Sequence, residues 1–290
     1  MPELPEVETV KRGLERLLVS KQVIGVEFDW PKSFPNPASE VNKFLLGARV
    51  RCVKRRAKVL IIELDTNYSL VTHLKMTGQL VYRGQQAFGA GHPNNSLVGK
   101  LPDKSTRVTL SFSDESRLFF NDQRKFGWMR LIATTLIKEL DFFKKVGPEP
   151  LEDEFTYQVF ESLLQRRKNS NIKSVLLDQT VMAGVGNIYA DESLWGAKVH
   201  PATLVKYIPV TKLKKLFTEI KYILNLSIEK GGSTDKNYVD AEGKRGSYLQ
   251  FARVFRRENL PCPNCQTTII KIRVAGRGTH VCPNCQRQPK

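Results

Sequence analysis

The sequence predicts an α+β protein of several domains, because three patterns follow one another along the chain. An amphipathic helix comes first, a series of short strand-like segments follows, and helices occupy most of the second half. Cysteines in two close pairs lie near the C-terminus, at a spacing typical of a zinc ribbon. We therefore expect a β-sandwich or flattened barrel with an N-terminal helix, then a helical domain and a C-terminal zinc hairpin.

The composition indicates a folded and strongly basic protein. The chain has 290 residues, of which 41% are hydrophobic and 26% charged, as is ordinary for a soluble protein with more than one core. The formal net charge is +17, and the basic residues are spread along the whole chain. A polyanion is the expected partner, and a merely solvated basic surface is the alternative. No apolar run approaches the roughly 20 residues that span a bilayer, and no signal peptide is visible. We expect a cytoplasmic protein with no membrane partner.

The first helix begins directly after the segment Pro2-Glu3-Leu4-Pro5-Glu6. Apolar residues recur at helical spacing over 7–18, and a proline and a glutamate suit the first turn. Two interpretations are open. The segment only caps a helix, or removal of Met1 exposes Pro2 as an amine nucleophile. An α-amine titrates near pH 7.7–8.0, so a fraction at about neutral pH is unprotonated and can attack a sugar C1′, with Glu3 moving protons.

The strands predicted in the first half are short, often alternate in polarity and are separated by turn residues. They span 23–30, 48–53, 59–64, 69–74, 78–82, 107–112, 117–121 and 126–132. The segment 84–105 is rich in Gly, Pro, Asn and Gln, and we predict a mobile loop there.

Helices are predicted over 135–145, 155–166, 172–177, 187–195 and 211–230. Gly147-Pro148-Glu149-Pro150 breaks the pattern between the two halves of the chain. We place the domains at 1–146 for the β-rich domain, 147–250 for the helical domain and 251–290 for the zinc hairpin.

The cysteines Cys262, Cys265, Cys282 and Cys285 form two Cys-x2-Cys pairs, whereas Cys52 stands alone. Two such pairs bring four thiolates within tetrahedral reach of one metal ion. Disulfides are the alternative, but they require an oxidising compartment for which the sequence shows no targeting signal. We therefore expect one Zn²⁺, and a structural one, because four thiolates leave no open coordination position for water.

A glycine-rich turn, Gly184-Val185-Gly186-Asn187, lies directly before a predicted helix. Backbone N–H groups there can point at a phosphate with the helix dipole behind them. A tight turn between two helices, permitted by glycine, is the alternative. A helix, two turns and a helix with such a phosphate contact form one known way of holding a DNA backbone.

Three collinear motifs together resemble the formamidopyrimidine-DNA glycosylase family. They are Pro2-Glu3-Leu4-Pro5-Glu6-Val7-Glu8-Thr9, Gly184-Val185-Gly186-Asn187-Ile188-Tyr189, and the four-cysteine tail with Arg277-Gly278-Thr279-His280 between its pairs. The resemblance covers essentially the whole chain. The leucine at position 4 resembles the residue of this family, whereas the related endonuclease VIII usually has glycine there. The resemblance implies catalytic roles for Pro2 as nucleophile, Glu3 as proton shuttle, Glu6 in support, and Lys58 and Arg277 at the lesion and its phosphates.

The same resemblance implies DNA-binding roles for His73, Met76, Arg124, Phe126, Lys173 and Asn187. Met76 would fill the hole left by an extruded nucleotide, Phe126 would wedge between base pairs, and Arg124 would face the widowed base. Judged by residue type alone, Met76 and Phe126 would be core residues. Asn187, Lys173 and Arg277 would contact phosphates.

The implied activity is that of a monomeric, bifunctional DNA glycosylase and AP lyase, which removes oxidised purines from damaged duplex DNA and cleaves the strand by β,δ-elimination. The alternatives are an endonuclease VIII-like enzyme for oxidised pyrimidines, and a non-catalytic binder of damaged DNA if Met1 is retained. The chain departs from the family pattern at 104–108, which leaves one phosphate contact in doubt, and at Val281, a packing change. The segment 231–248 resembles the loop that covers the flipped base.

Overall fold

The computed structural model describes residues 2–92, 94–233 and 248–288. The chain forms two compact units, Met1–Lys144 with Lys230–Ser247, and Lys145–Glu229 with Tyr248–Lys290. The first unit is rich in strands, and the second contains helices and a β-hairpin. The predicted fold class is confirmed, whereas the finer division into 1–146, 147–250 and 251–290 stays a prediction. Met1 and most of 231–248 lie outside the described residues.

The first unit contains two antiparallel sheets and an N-terminal helix. Its helices are α1 (Leu4–Leu18), α2 (Ala38–Phe44) and α3 (Asp141–Lys145), and 3₁₀ turns span Asn95–Leu97 and Thr134–Glu139. Its strands are β1 (Val23–Phe28), β2 (Val50–Arg56), β3 (Val59–Leu64), β4 (Tyr68–His73), β5 (Gly78–Arg83), β6 (Ala87–Gly91), β7 (Thr106–Phe112), β8 (Arg117–Asp122) and β9 (Trp128–Ala133). The sheet orders are β1-β7-β8-β5-β6 and β2-β3-β4-β9.

One apolar cluster holds this unit together, because it draws residues from both sheets and from α1. The apolar face of α1 is fully buried at Val7, Val10 and Leu14. Burial of side chains of this size stabilises a fold by about 1.5–3 kcal/mol each relative to leaving them exposed. The start of α1, which carries Pro2 and Glu3, is therefore fixed by the core of the unit.

The structure corrects our prediction of a loop over 84–105. Residues Ala87–Gly91 form β6, which pairs with β5, and Phe88 is buried in the core. A second correction concerns the strand predicted over 126–132, which begins at Trp128 because Phe126 and Gly127 belong to the turn after β8. The helix predicted over 135–145 is a 3₁₀ turn followed by the short α3.

The second unit packs its helices around a separate apolar cluster. The helices are α4 (Tyr157–Gln165), α5 (Ile172–Leu177), α6 (Asn187–Gly196), α7 (Val210–Glu229) and α8 (Tyr248–Phe251), with a 3₁₀ turn at Val205–Tyr207. Strands β10 (Ile270–Val274) and β11 (Arg277–Val281) form the antiparallel hairpin between the cysteine pairs. None of the helices in the described ranges is long and apolar enough to cross a bilayer.

Candidate functional site

The N-terminal residues predicted to be catalytic are fixed by hydrogen bonds at the start of α1. Pro2 is buried, and Glu3 and Glu6 are 4% and 7% exposed. The carboxylate of Glu6 accepts the backbone N–H of Glu3 at 2.8 Å, so it holds the peptide that follows Pro2. The same carboxylate accepts the backbone N–H and the hydroxyl of Ser233 at 2.8 and 2.7 Å. Glu6 therefore orients the segment that carries the candidate nucleophile.

The chain passes close to Glu6 at Gly232. This glycine has a φ of +90°, and a Cβ there would lie 3.3 Å from Glu6 Cγ and Oε1. A side chain at this position would therefore strain the backbone and crowd the carboxylate. Glycine is the residue that lets Ser233 reach Glu6.

Lys58 lies in the turn between β2 and β3 and is only 6% exposed, so it is not a solvent-facing strand residue. His73, at the end of β4, pairs in register with Val59. Burial, together with the nearby charges of Lys75 and Lys58, lowers the pKa of His73 to about 3. Its Nδ1 accepts the backbone N–H of Lys75 at 3.0 Å. His73 is therefore neutral at pH 7 with its proton on Nε2, and any contact it makes with DNA is a neutral hydrogen bond.

Met76 and Phe126, which by residue type resemble core residues, are exposed. Met76 is 37% exposed in the turn between β4 and β5, and Phe126 is 54% exposed in the turn between β8 and β9. Arg124 is also exposed, and its guanidinium carbon lies 4.7 Å from the centre of the Phe126 ring. The turn after β8 thus presents a cation and an aromatic ring side by side, as a wedge and a reader of a base edge require.

Asp122, at the end of β8, is a residue of this region that our sequence analysis did not single out. It is fully buried, and it accepts backbone N–H groups of the turn that carries Arg124 and Phe126. An aspartate at a strand end, followed by turn residues, is the available sequence signal, because Asp side chains bond to backbone groups a few residues further on.

Arg107 lies in the segment 104–108, where the chain departs from the family pattern and one phosphate contact was in doubt. Arg107 is 2% exposed, and its Nε donates to the carbonyl oxygens of Ser105 at 2.9 Å and Asp122 at 3.1 Å. Its guanidinium also pairs with Asp29 and donates to the Lys104 carbonyl. Arg107 therefore supports the base of the turn after β8 instead of facing solvent.

The glycine-rich turn of the second unit is closed by one side chain. Gln179 donates to the Val185 carbonyl at 2.8 Å and accepts the Gly184 N–H at 2.9 Å. Asn187, the first residue of α6, donates to the Gly278 carbonyl on the hairpin at 3.1 Å. Arg277, beside Gly278 at the start of β11, is exposed. Asn187 and Arg277 thus lie at the same junction between α6 and the hairpin.

The structure corrects our prediction that Lys173 contacts a phosphate. Its side chain is fully buried, and its ammonium lies 2.6 Å from Asp191 Oδ1 and donates to the Thr279 hydroxyl at 2.6 Å. Asp191 also accepts the backbone N–H of His280 at 2.9 Å. The prediction of a direct contact is wrong for this conformation, because the charge of Lys173 is neutralised inside the unit. Lys173 joins α5 and α6 to the hairpin.

The four cysteines of the hairpin come together as their spacing predicts. Their Sγ atoms all lie within 4.8 Å of one another, and the closest pairs are 3.4–3.9 Å apart. Tetrahedral zinc with Zn–S bonds of about 2.3 Å places its sulfur ligands about 3.8 Å apart, so these residues fit the ion. Cys262 and Cys282 are fully buried, which suits a structural zinc site. One zinc ion held here would fix the hairpin that carries Arg277.

Family models match three consecutive parts of the chain. They describe the formamidopyrimidine-DNA glycosylase N-terminal domain over residues 1–129, the H2TH domain of the same enzyme over 146–238, and a zinc finger found in FPG and IleRS over 259–288. Together they account for most of the chain and follow the order of the elements described above.

Proteins named formamidopyrimidine-DNA glycosylase are similar over the full length. One from Streptococcus pneumoniae is 40% identical over 99% of this chain and 100% of its own, and one from Chloroflexus aggregans is 41% identical over 99% and 98%. Lactococcus lactis Fpg, solved in complex with DNA containing an abasic site, is 34% identical, with a TM-score of 0.86 over 99% of this chain and 100% of that chain. MutM in complex with DNA containing carbocyclic 8-oxo-G is 35% identical, with a TM-score of 0.85 over the same shares. The chain therefore belongs to the formamidopyrimidine-DNA glycosylase family.

Proposed function

We propose that this DNA glycosylase removes oxidised purines from duplex DNA and then cleaves the strand, with Pro2 as nucleophile and Glu3 as proton carrier. The observation that carries the proposal is the start of α1, where the buried Pro2 is followed by a peptide whose N–H is held by Glu6 at 2.8 Å. A nucleophile held in one orientation is a condition for efficient attack. The hydrogen bond from Glu3 to Glu6 is also part of a capping box at the start of α1, and the contacts of Glu6 with Ser233 go beyond what that cap requires.

The reaction follows from the chemistry of a secondary amine. Once Met1 is removed, the nitrogen of Pro2 forms a bond to the sugar C1′ as the glycosidic bond breaks. The base leaves with its electron pair and takes up the proton that the amine loses. Glu3 gives a proton to O4′ as the sugar ring opens, so an iminium forms between Pro2 and C1′. The iminium acidifies the neighbouring C–H bond, and successive β- and δ-elimination release the 3′ and 5′ phosphates.

The class of lesion is supported by relatives with solved structures. A mutant of Lactococcus lactis Fpg was solved in complex with DNA containing Fapy-dG, and MutM with DNA containing carbocyclic 8-oxo-G. We infer that formamidopyrimidines and 8-oxoguanine are substrates here as well. Endonuclease VIII-like action on oxidised pyrimidines is the less favoured alternative, since the relatives named above are formamidopyrimidine-DNA glycosylases.

Duplex DNA is bound, in our proposal, by groups of both units. In the first unit, Lys58 and His73 contact the DNA strand that carries the lesion. In the second unit, Asn187 and Arg277 contact phosphates. The formal charge of +17 supports association with DNA, which should weaken steeply as salt rises. We propose that the protein acts as a monomer. Since the relatives named above are bacterial, we place its action in the cytoplasm, at the nucleoid.

The test measures excision from duplexes that contain 8-oxoguanine, a formamidopyrimidine or an oxidised pyrimidine, using protein whose intact mass shows that Met1 is absent. We expect excision of the two purine lesions and products that carry phosphates at both new ends. Glu3→Gln should lose base excision because it cannot carry the proton. Excision of the pyrimidine lesion alone would indicate an endonuclease VIII-like enzyme. Binding without excision by protein that retains Met1 would indicate a non-catalytic binder.

A further inference from the structure

The turn that carries Arg124 and Phe126 is built around one carboxylate. Asp122 is 0% exposed, and its Oδ2 accepts the backbone N–H groups of Phe126 at 2.8 Å and Gly127 at 2.6 Å. Its Oδ1 accepts the N–H of Arg124 at 3.2 Å. A single side chain thus holds the backbone on both sides of the exposed ring. Hydrogen bonds to an ionised acceptor are stronger than neutral ones, so this turn is well defined.

The same carboxylate reaches the turn that carries Met76. The hydroxyl of Thr77, the next residue, donates to Asp122 Oδ1 and accepts the N–H of Arg124 at 3.2 Å. Thr77 is 8% exposed, whereas Met76 is 37% exposed. The two exposed turns are therefore joined beneath their surface by the pair Asp122 and Thr77.

The space below the turn is closely filled. A Cβ added to Gly127 would lie 2.8 Å from the ring of Phe120 and 3.1 Å from Asp122 Oδ2, so a glycine is needed for the carboxylate to sit there. Lys125, between the two exposed side chains, has its ammonium 4.5 Å from the centre of the Trp30 ring. This contact adds a further anchor to the turn.

We propose that Asp122 is a positioning residue that holds Met76, Arg124 and Phe126 as one preset unit for opening the duplex. The proposal rests on the proposed function, because it concerns the extrusion step of that reaction. Unstacking a base is unfavourable, and ordering a flexible turn in the same step would add a loss of conformational entropy. Contacts that order the turn before DNA binds remove this entropic cost, which is the general advantage of preorganisation.

The test uses Asp122→Asn, which keeps the shape of the side chain but places an NH₂ donor where only acceptors fit. At least one backbone N–H of the turn then loses its partner. We expect single-turnover excision of 8-oxoguanine from duplex DNA to fall by about 10- to 100-fold. Cleavage of a preformed abasic site should change by less than about threefold, because such a site is easier to extrude.

Asp114→Asn is the matched control, since it makes the same substitution at the other end of β8. Asp114 accepts the N–H and hydroxyl of Ser116 at 3.2 and 2.6 Å, in the turn between β7 and β8. Among the hydrogen bonds of the described residues, Asp114 has none with the turn that carries Arg124 and Phe126. We expect the ratio between the two substrates to stay that of the wild type.

A double-mutant cycle separates positioning from general stability. If Asp122 acts through Phe126, Asp122→Asn should add little to the loss caused by Phe126→Ala. Equal losses on both substrates, or fully additive losses in the cycle, would overturn the proposal. If Asp122→Asn folds poorly, Thr77→Val should show the selective loss and Thr77→Ser should not, and equal behaviour of these two would overturn it as well. A wild-type protein inactive on both substrates would instead refute the proposed function.

Discussion

Truncating Phe126 to alanine distinguishes a wedge from a core residue, because the two roles predict opposite results. Truncating a fully buried phenylalanine to alanine destabilises a protein by about 3–5 kcal/mol. Phe126 is 54% exposed, and the guanidinium carbon of Arg124 lies 4.7 Å from the centre of its ring, a contact worth about 0.5–1 kcal/mol. We therefore expect a loss near 1 kcal/mol, or about 2–4 °C in Tm.

The functional loss should be much larger than the loss of stability. Without the wedge, the protein no longer offsets the unstacking of the lesion, which costs a few kcal/mol, and each 1.4 kcal/mol corresponds to about a tenfold change in rate. We expect single-turnover excision from an intact lesion duplex to fall by about a hundredfold, with a smaller effect on a preformed abasic site. Met76→Ala should behave similarly, because Met76 is 37% exposed.

Phe120→Ala provides the control, because Phe120 lies on β8, just before the turn that carries Phe126, and is 0% exposed. Its Tm should fall by far more than that of Phe126→Ala, and both activities should fall together. If Phe126→Ala instead lowers Tm as Phe120→Ala does, with parallel losses on both substrates, then Phe126 is a core residue and the argument from exposure is refuted.

Three further predictions concern the metal site, the buried lysine and pH. Cys282→Ser should abolish zinc binding, measured by elemental analysis as a loss from about one zinc per chain, and DNA binding, while the circular dichroism of the β-rich unit persists. Lys173→Met should destabilise the second unit by about 3–5 kcal/mol in denaturant unfolding, because it leaves the buried Asp191 without its cation. The pKa of His73 falls from 6.5 to about 3 on folding, so the unfolded chain takes up the proton first. The contribution of His73 to stability should be level above about pH 6.5 and fall by up to about 1.4 kcal/mol per pH unit below it, so His73→Gln should show a shallower fall than the wild type.

Much of the fold could be predicted because local periodicity agrees with tertiary packing. The predicted ranges 59–64 and 172–177 coincide with β3 and α5, most of whose apolar residues are buried. β6 was missed because its sequence, Ala-Phe-Gly-Ala-Gly, contains no β-branched residue. Pairing with β5 and burial of Phe88 determine that strand, and neither is visible in the local sequence.

Some features of the candidate site could likewise be predicted from local sequence, whereas others depend on contacts between residues distant in the sequence. Cysteine spacing predicted the metal cluster, because its ligands come from two short turns. The exposure of Phe126 followed from the resemblance and not from its residue type, which favours burial. Lys173 was misjudged because its partner Asp191 lies on another helix. The hydrogen bonds of Asp122 to the turn beyond it depend on how that turn folds over the carboxylate, which the local sequence does not show.

The central claim is that Pro2 carries the covalent step, and borohydride trapping tests it most directly. An iminium is reducible, whereas an intermediate of direct hydrolysis is not, so the reduced complex marks the nucleophile. We predict that protein lacking Met1, mixed with a lesion duplex and borohydride, gives a covalent adduct that peptide mass spectrometry places on Pro2. Pro2→Gly should trap poorly. Undiminished trapping after acetylation of the N-terminus, or an adduct on Lys58 instead, would contradict the account.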